Sequence, residues 1–541
     1  MKKDLSRRSF LAGAGLVGVG AVAGLAGCAP QASSSESEGN GQGQADGDWR
    51  TPPDPITDIA ETIDADIVVV GAGVSGCNAA YTAAESGAHV VVLQKEATCI
   101  ANGMGVGAYG TTMQKERGDD WDVEEELNRW ARESENRSNR KLVHRWAEYS
   151  GEVVDRMVRL CTGHENCEPI LYDPGADTEY PDAWNFAYSG GVVFLGADQM
   201  KGVAQVITDE AEKLGADVYY STPAVQLVRD GDGPVTAVIA QREDGSYLQV
   251  NAAKGVILAA GDYGADPDLR KEFMPHIEGL QTAYCTDTNT GDGHKMGTWV
   301  GAAMQKAPHA GNIHYDPGMP PSSSASGSGC PWLWVNLNGE RFCNEDMSYG
   351  QIYAQGMNQP EFIHFQVFDA NYKADVQAGK MGQGNQKNGP FPGFGMEFID
   401  EYIENGEVLS ADTLDELAEK MGVPADAFKA TVERYNELND LGEDLDFGKQ
   451  AARLTYIKDA PFYAICRQPR LLCALGGLVI NDRMEVLDEQ RKPIPNLYAC
   501  GNNSGDWFGG LEHPMVIPGM SLGRAVVTGH LAALSALGES Y

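Results

Sequence analysis

The stretch from Asp66 to Gln94 constrains this chain more than any other. Residues 66–70 read DIVVV, a β-branched run of buried-strand length. Gly71-Ala72-Gly73-Val74-Ser75-Gly76 follows at once; CNAAYTAAESG then reads as a helix, and AHVVVL as a second apolar strand ending at Leu93. A strand, a GxGxxG turn, a helix and another strand in this order make a Rossmann-type dinucleotide-binding unit. Gly71, Gly73 and Gly76 permit a tight turn and close approach of backbone to a pyrophosphate. The helix start at Val74 and Ser75 offers N–H donors and the positive end of a dipole. The second strand closes on Gln94 and Lys95, where an acidic residue usually accepts hydrogen bonds from ribose hydroxyls. The Gln94 amide oxygen can accept one such bond, without charge.

At 541 residues the chain exceeds what one core usually supports, so two structural units are expected. Its start, MKKDLSRRSFLAGAGLVGVGAVAGLAGC, joins a basic Arg7-Arg8 pair to a short Gly/Ala-rich run. That run is a poor membrane span and looks like a twin-arginine export signal. Leu25-Ala26-Gly27-Cys28 resembles a lipobox, which would lipidate Cys28; a plain signal peptide is the alternative. Residues 29–60, rich in Ser, Gly, Gln and Pro, read as a disordered linker, and no later segment reads as a membrane span. The net charge is −36, and about −39 without the basic leader. Nucleic acid and anionic membrane surfaces are poor partners for such a field, whereas a basic redox protein suits it. Eleven Cys include no C-x-x-C, so neither a haem attachment site, a local iron–sulfur cluster nor another metal site is expected. Cys161 and Cys167 are near enough in sequence for a disulfide, with buried thiols as the alternative.

Six ordered segments resemble the fumarate reductase/succinate dehydrogenase flavoprotein superfamily. All lie after the βαβ unit. Ile100-Ala101-Asn102-Gly103-Met104-Gly105 stands where that family has its flavin-wrapping Gly-Gly-Asn-Ser/Thr loop. GADQMKGVAQVITDEAEKLGADVYYSTPAVQLV looks like its helix and strand, with Ala224 and Val225 at a cofactor-contacting turn. AAKGVILAAGDYGADPDL is similar to the strand ending Ala-Gly-Gly-Phe, placing Ala260 and Gly261 at the cofactor and Asp262-Tyr263 where Gly-Phe is usual. Asn289-Thr290-Gly291-Asp292-Gly293 resembles the Thr-Gly-Asp-Gly turn, and LGGLVIND with IPNLYACGN the segments that bring Gly501 to the flavin. Ile517-Pro518-Gly519-Met520-Ser521-Leu522-Gly523 is similar to a Pro-Gly…Leu-Gly segment of the ketosteroid dehydrogenases of the same superfamily. It puts Gly519, Ser521, Leu522 and Gly523 at a helix start facing the flavin.

The resemblance implies FAD and an α/β fold. A discontinuous Rossmann-type FAD-binding domain (61–302 and 464–541) would carry an inserted α+β capping domain at 303–463. PGMPPSSSASGSG and GQGNQKNGPFPGFG read as loops, and ADTLDELAEKMGVPADAFKATVERYNEL as two amphipathic helices broken at Gly422-Val423-Pro424.

The family's dicarboxylate enzymes hold substrate with Arg and His and protonate carbon with an Arg. Here the corresponding frame is Arg341-Phe342-Cys343-Asn344-Glu345-Asp346-Met347-Ser348-Tyr349, with Tyr349 where the acid Arg would be. Tyr349, Arg341 and Glu345 are therefore the catalytic candidates. Tyr353 is another possible acid, and Arg341 with Glu345 also reads as an ion pair holding the local fold. Cys473 replaces the family's His, and the place of its second substrate Arg falls near Val516. A dianion desolvated among Tyr, Cys and Val would lack compensation, so the expected substrate is a small, neutral or weakly polar molecule. His309, His314 and His513 are loose candidates. The expected activity is reduction of an activated carbon–carbon double bond, fed by an external electron donor such as a cytochrome or a membrane quinol system. A ketosteroid-type dehydrogenase, a fumarate- or urocanate-like reductase and a non-catalytic flavin-binding lipoprotein are the alternatives.

Overall fold

The computed structural model describes residues 48–171, 191–196, 198–282, 287–317, 332–346, 354–377, 397–510, 513, 517 and 519–541. The export signal, the lipobox and most of both Gly/Pro/Ser-rich loops lie outside the described residues.

Strand β1 (Ile59–Val70), helix α1 (Val74–Glu85) and strand β2 (Val90–Leu93) make the expected βαβ start. β1 and β2 pair in parallel, Ile67 opposite Val90 through Val70 opposite Leu93. Their apolar runs do not alternate because a parallel sheet is covered on both faces. A small antiparallel sheet follows, in the order β3 (Gly105–Gly107), β5 (Gly191–Leu195), β4 (Glu168–Leu171). Between β3 and β4 run helices α2 (Val123–Glu133) and α3 (Arg140–Cys161). Helix α4 (Gln199–Lys213) leads to β6 (Asp217–Tyr219), the hairpin β7 (Ala224–Arg229) and β8 (Val235–Gln241), then β9 (Tyr247–Leu258) and α5 (Asp292–Trp299).

A second, five-stranded sheet comprises β10 (Gly311–Pro317), β11 (Leu333–Asn336), β12 (His364–Phe368), β13 (Leu409–Ala411) and β14 (Phe462–Ala474). It is antiparallel, in the order β10-β14-β12-β11 with β13 also on β14. Helices α6 (Leu414–Met421) and α7 (Ala425–Leu441) bury Leu417, Phe428 and Tyr435 against Leu333, Phe365 and Val367. The Thr413 hydroxyl caps α6 by accepting from Glu416 N at 3.2 Å, and Gly422 ends it at φ 72°, as the sequence predicts.

The chain then returns to the first sheet. β15 (Glu485–Leu487) and β16 (Pro493–Ala499) complete the order β15-β16-β9-β1-β2-β6, with β16 parallel to β9. An α/β sheet begun near residue 59 is thus finished near residue 499, with an α+β insertion between. Helix α8 (Met520–Leu537) closes the chain. By length and composition it could cross a membrane, contrary to the expectation that no later segment could. It is nevertheless 78% buried, as a core helix. A Cβ at Gly529 would stand 2.1 Å from Ser75 O, so only glycine lets α8 lie this close to the start of α1.

One expectation needs correction, and one open alternative is decided. The linker predicted over 29–60 has an ordered end: Trp49 is only 9% exposed and packs edge-on against Phe273. Its Nε1 donates to Glu272 at 3.0 Å, and its carbonyl accepts from Trp299 Nε1 at 2.9 Å. One indole has enough apolar surface to anchor a polar segment. Cys161 and Cys167 are buried but remain separate thiols in hydrogen-bonding contact, not a disulfide.

Candidate active site

The turn after β1 is built by contacts that only glycine permits. Gly71 has φ 104°, and a Cβ there would lie 2.4 Å from Ala259 O. A Cβ at Gly76 would lie 1.9 Å from Gly71 O, so α1 rests directly on the turn. Gly73 caps α1 without a side-chain hydrogen bond, leaving the N–H groups of the Val74–Ser75 turn to face a ligand.

Gln94 and Lys95, named as cofactor contacts, each also hold the protein's own backbone. Gln94 Oε1 accepts from Ala72 N at 2.9 Å, and its Nε2 donates to Thr98 O at 2.9 Å. A neutral amide can both accept and donate, so Gln94 ties the glycine turn to its own strand end. Lys95 Nζ donates to Thr288 O at 3.0 Å, Thr290 Oγ1 at 3.1 Å and Asp292 at 2.8 Å. Lys95 and Asp292, both predicted to face the cofactor, are thus partners that fix the turn before α5. Thr222 N donates to Gln94 O at 2.8 Å, which sets Ala224 and Val225 beside the same strand end.

The flavin end is assembled from the distant segments. Asn503 Oδ1 accepts from Ala260 N at 2.7 Å, while its Nδ2 donates to Gly261 O at 2.9 Å. Gly501 sits against Ser75, where a Cβ would meet Oγ at 2.5 Å. Gly107 N donates to Gly519 O at 2.8 Å, and a Cβ at Gly103 would lie 3.0 Å from Leu522. These contacts link Gly71–Gly76, Asn102–Gly103, Ala260–Gly261, Asp292, Gly501 and Gly519–Leu522 into one neighbourhood. Gly73, Lys95, Gly261, Ser521 and Leu522 are half-buried, and Asn102 and Gly103 are exposed. Close-packed backbone with helix starts at α1 and α8 suits FAD, whose pyrophosphate and flavin need N–H donors at two separate helix ends.

The roles of three polar residues escaped the sequence reading. Asn503 is one, and its signal was the CGNN segment, of which only Gly501 was used. Asp262, where Gly is usual, is 2% exposed. It accepts from Gly264 N at 2.6 Å, Asn289 Nδ2 at 3.0 Å and Ala474 N at 3.3 Å, and burial pushes its carboxyl up to about 6. Arg524, one turn into α8, is fully buried. It donates to Gly501 O and to Asn502 Oδ1, lies 4.9 Å from the Phe508 ring, and is drawn down to about 10 by burial.

On the substrate side, Tyr349, Tyr353, Val516 and the His314 side chain lie outside the described residues. Arg341 and Glu345 are described, and their catalytic candidacy is corrected. Arg341 Nε donates to Glu345 at 2.8 Å and Nη2 to Asp444 at 2.8 Å, while Lys449 lies 3.3 Å from Glu345. All four side chains are at most 6% exposed, and Arg341 also lies 5.0 Å from the Tyr435 ring. Groups committed to such a closed quartet hold the fold, and despite burial the Glu345 and Asp444 carboxylates tighten the hold of Arg341 on its proton. His309 is equally structural: Nε2 donates to Gln305 O at 2.8 Å, Nδ1 accepts from Tyr263 OH at 2.6 Å, and burial drives it down to about 4. His513 is buried and stacked on Phe508 at 5.1 Å. Cys473 is half-buried at the end of β14.

The chain matches the family described as FAD binding domain over residues 66–513. It is 28% identical over 496 residues to a vinyl phenol reductase of Lactiplantibacillus plantarum, covering 86% of this chain and 94% of that one. It is 26% identical to a digoxin reductase of Eggerthella lenta, covering 98% and 97% respectively. Among solved structures, the open conformation of a flavocytochrome c3 fumarate reductase superposes with a TM-score of 0.67 at 24% identity, over 89% of this chain and 79% of that one. The chain belongs to the FAD binding domain family and is an FAD-dependent oxidoreductase, similar to flavoproteins of the fumarate reductase type.

Proposed function

We propose that this protein is an exported FAD-dependent reductase of an activated carbon–carbon double bond in a neutral or weakly polar organic substrate. The observation that carries this reading is the loss of the dicarboxylate-binding charges at Tyr349, Cys473 and Val516. A dianion there would forfeit several kcal/mol of hydration without compensation (~2–7 kcal/mol even for an uncharged polar group). The names of the vinyl phenol and digoxin reductases, relatives over most of the chain, support the same direction of chemistry.

When bound, FAD supplies the hydride and stores the electrons for it. The chain's own residues do the rest. Val74–Ser75 N–H groups would hold the pyrophosphate, and the N–H dipoles in the first turn of α8, from Gly519 to Leu522, would stabilise negative charge on the flavin. Tyr349 gives the proton to the carbon opposite the hydride. The 303–463 insertion caps the site and keeps water from the reacting atoms. Electrons arrive from a separate carrier, a cytochrome or a membrane quinol system, and the strongly acidic surface suits a basic docking partner. Export through the twin-arginine route and a lipid anchor at Cys28 complete the proposal.

The test is reoxidation. The bound flavin is reduced with dithionite and mixed with enones, vinylphenols, cinnamates, steroids, urocanate and fumarate. Fast reoxidation by a neutral alkene is expected, and preference for fumarate would overturn the proposal.

A further inference from the structure

β14 brings a second arginine towards the site, Arg470, three positions before Cys473. Residues opposite one another in an antiparallel ladder share a face, so the pairing of β10 with β14 sorts their side chains. On one face Ile313 lies opposite Leu471 and Gly311 opposite Ala474. Ile313, Leu471 and Ala474 pack there with Tyr263 and Phe273. On the other face Asn312 lies opposite Cys473, and position 314 opposite Arg470. The register slips by one residue at Leu472, which keeps Cys473 and Arg470 on that same face despite their odd spacing.

The Cys473 end of this ladder lies near the cofactor segments: Ala474 N donates to Asp262, the neighbour of Gly261, and Cys473 interacts electrostatically with Arg524 in the first turns of α8. Asn312, Arg470 and Cys473 are all half-buried.

Arg470 has no acid partner among the described residues, and its Nε is buried without a hydrogen bond. The chain has 77 Asp and Glu against 41 Lys and Arg. A desolvated donor left unmade costs about 1–3 kcal/mol. A ligand oxygen would recover that cost.

We propose that Arg470 holds the substrate oxygen that is conjugated with the reducible double bond: an enone carbonyl, a phenol oxygen or a single carboxylate. This rests on the reductase reading above. With a carbonyl or carboxylate, the π electron pair moves onto that oxygen as hydride reaches the far alkene carbon, and a proton arriving at the near carbon returns the pair and leaves the saturated product. With a phenolate the order reverses: the oxygen's pair moves inward as the far carbon takes the proton, and hydride at the near carbon of the resulting quinone methide returns the pair to the oxygen. A guanidinium at the oxygen stabilises the charge while it exists. One such cation matches one oxygen, and it falls short of the several charges that a dicarboxylate needs.

The FAD-loaded protein is titrated with 4-ethylphenol, 3-phenylpropanoate, cyclohexanone and, as an oxygen-free probe, ethylbenzene, while flavin absorbance reports binding. One oxygen-bearing probe should bind more tightly than ethylbenzene in the wild type, and its identity names the source of the oxygen. Arg470→Gln should weaken that probe ~10-fold or more, Arg470→Lys should recover part of the loss, and ethylbenzene should bind all three proteins alike. Equal flavin content and melting temperature in Arg470→Lys separate this from misfolding. Affinity within twofold of wild type in Arg470→Gln overturns the proposal, as does a wild type in which no oxygen-bearing probe outbinds ethylbenzene. A wild type whose reduced flavin no alkene reoxidises, but whose probe binding still falls in Arg470→Gln, removes the reductase reading and retains Arg470 as the oxygen holder.

Discussion

Asp444→Asn separates a structural from a catalytic role for the Arg341–Glu345 pair. In the wild type two cations, Arg341 and Lys449, face two anions, Glu345 and Asp444, with contacts of 2.8 to 3.3 Å. The substitution keeps the shape of the side chain but leaves a net charge of +1 in a site where no member is more than 6% exposed. Removing one partner of a buried pair costs about 3–5 kcal/mol, because the remaining charge is uncompensated. The double variant Arg341→Met/Asp444→Asn restores neutrality, with Lys449 still beside Glu345. It should therefore be more stable than the sum of its single changes by well over ~1 kcal/mol. The pH dependence has a defined sign. Burial works against the Asp444 charge, but bonds from Arg341 and backbone N–H groups outweigh it and pull the carboxyl from 3.8 to about 2. Its contribution is complete above 3.8 and is lost as pH falls through 2. Urea melts of the FAD-loaded protein between pH 7 and pH 2 read all of this. A loss below ~1 kcal/mol in Asp444→Asn, or strict additivity in the double variant, would refute the closed-quartet account.

Gly76→Ala should strip the protein of FAD, since a Cβ 1.9 Å from Gly71 O forces α1 off its turn; the flavin-to-protein ratio after purification measures it. Gly87→Ala is the control, as a Cβ there meets nothing within 4 Å and only the φ of 82° is strained; full flavin loading is expected. Tyr349→Phe should slow alkene reduction by ~10²-fold or more while flavin reduction by dithionite is unchanged, and unaltered turnover would remove Tyr349 as the acid. Cys161 and Cys167 should resist iodoacetamide in the folded protein, since burial raises both thiols, and react fully in urea; a disulfide-linked peptide in the mass spectrum would contradict this.

The parts legible in the sequence are those dictated by local geometry. A GxGxxG turn between an apolar strand and an Ala-rich helix admits one arrangement, and Gly422 between two amphipathic runs admits one break. The destinations of long polar side chains were not legible. Gln94 and Lys95 follow β2 as ribose ligands should, yet they bond Ala72 and the turn carrying Asp292, the latter almost 200 positions away. Local spacing gives no sign of such a partner. The buried Asp262 was visible as a departure from Gly, but its use depends on Ala474 and Asn289, which only the folded sheets bring near. Trp49 was hidden by the polar composition around it. Arg470 was overlooked because its meaning depends on a one-residue slip at Leu472.

The central claim is that this protein reduces an uncharged conjugated alkene, and stopped-flow reoxidation of the dithionite-reduced protein measures it directly. The account predicts that a neutral enone or vinylphenol restores the oxidised flavin spectrum at a rate that saturates with concentration, and that fumarate at equal concentration does so far more slowly. Fumarate reoxidising the flavin as fast as the best neutral alkene, or no alkene reoxidising it at all, would contradict it.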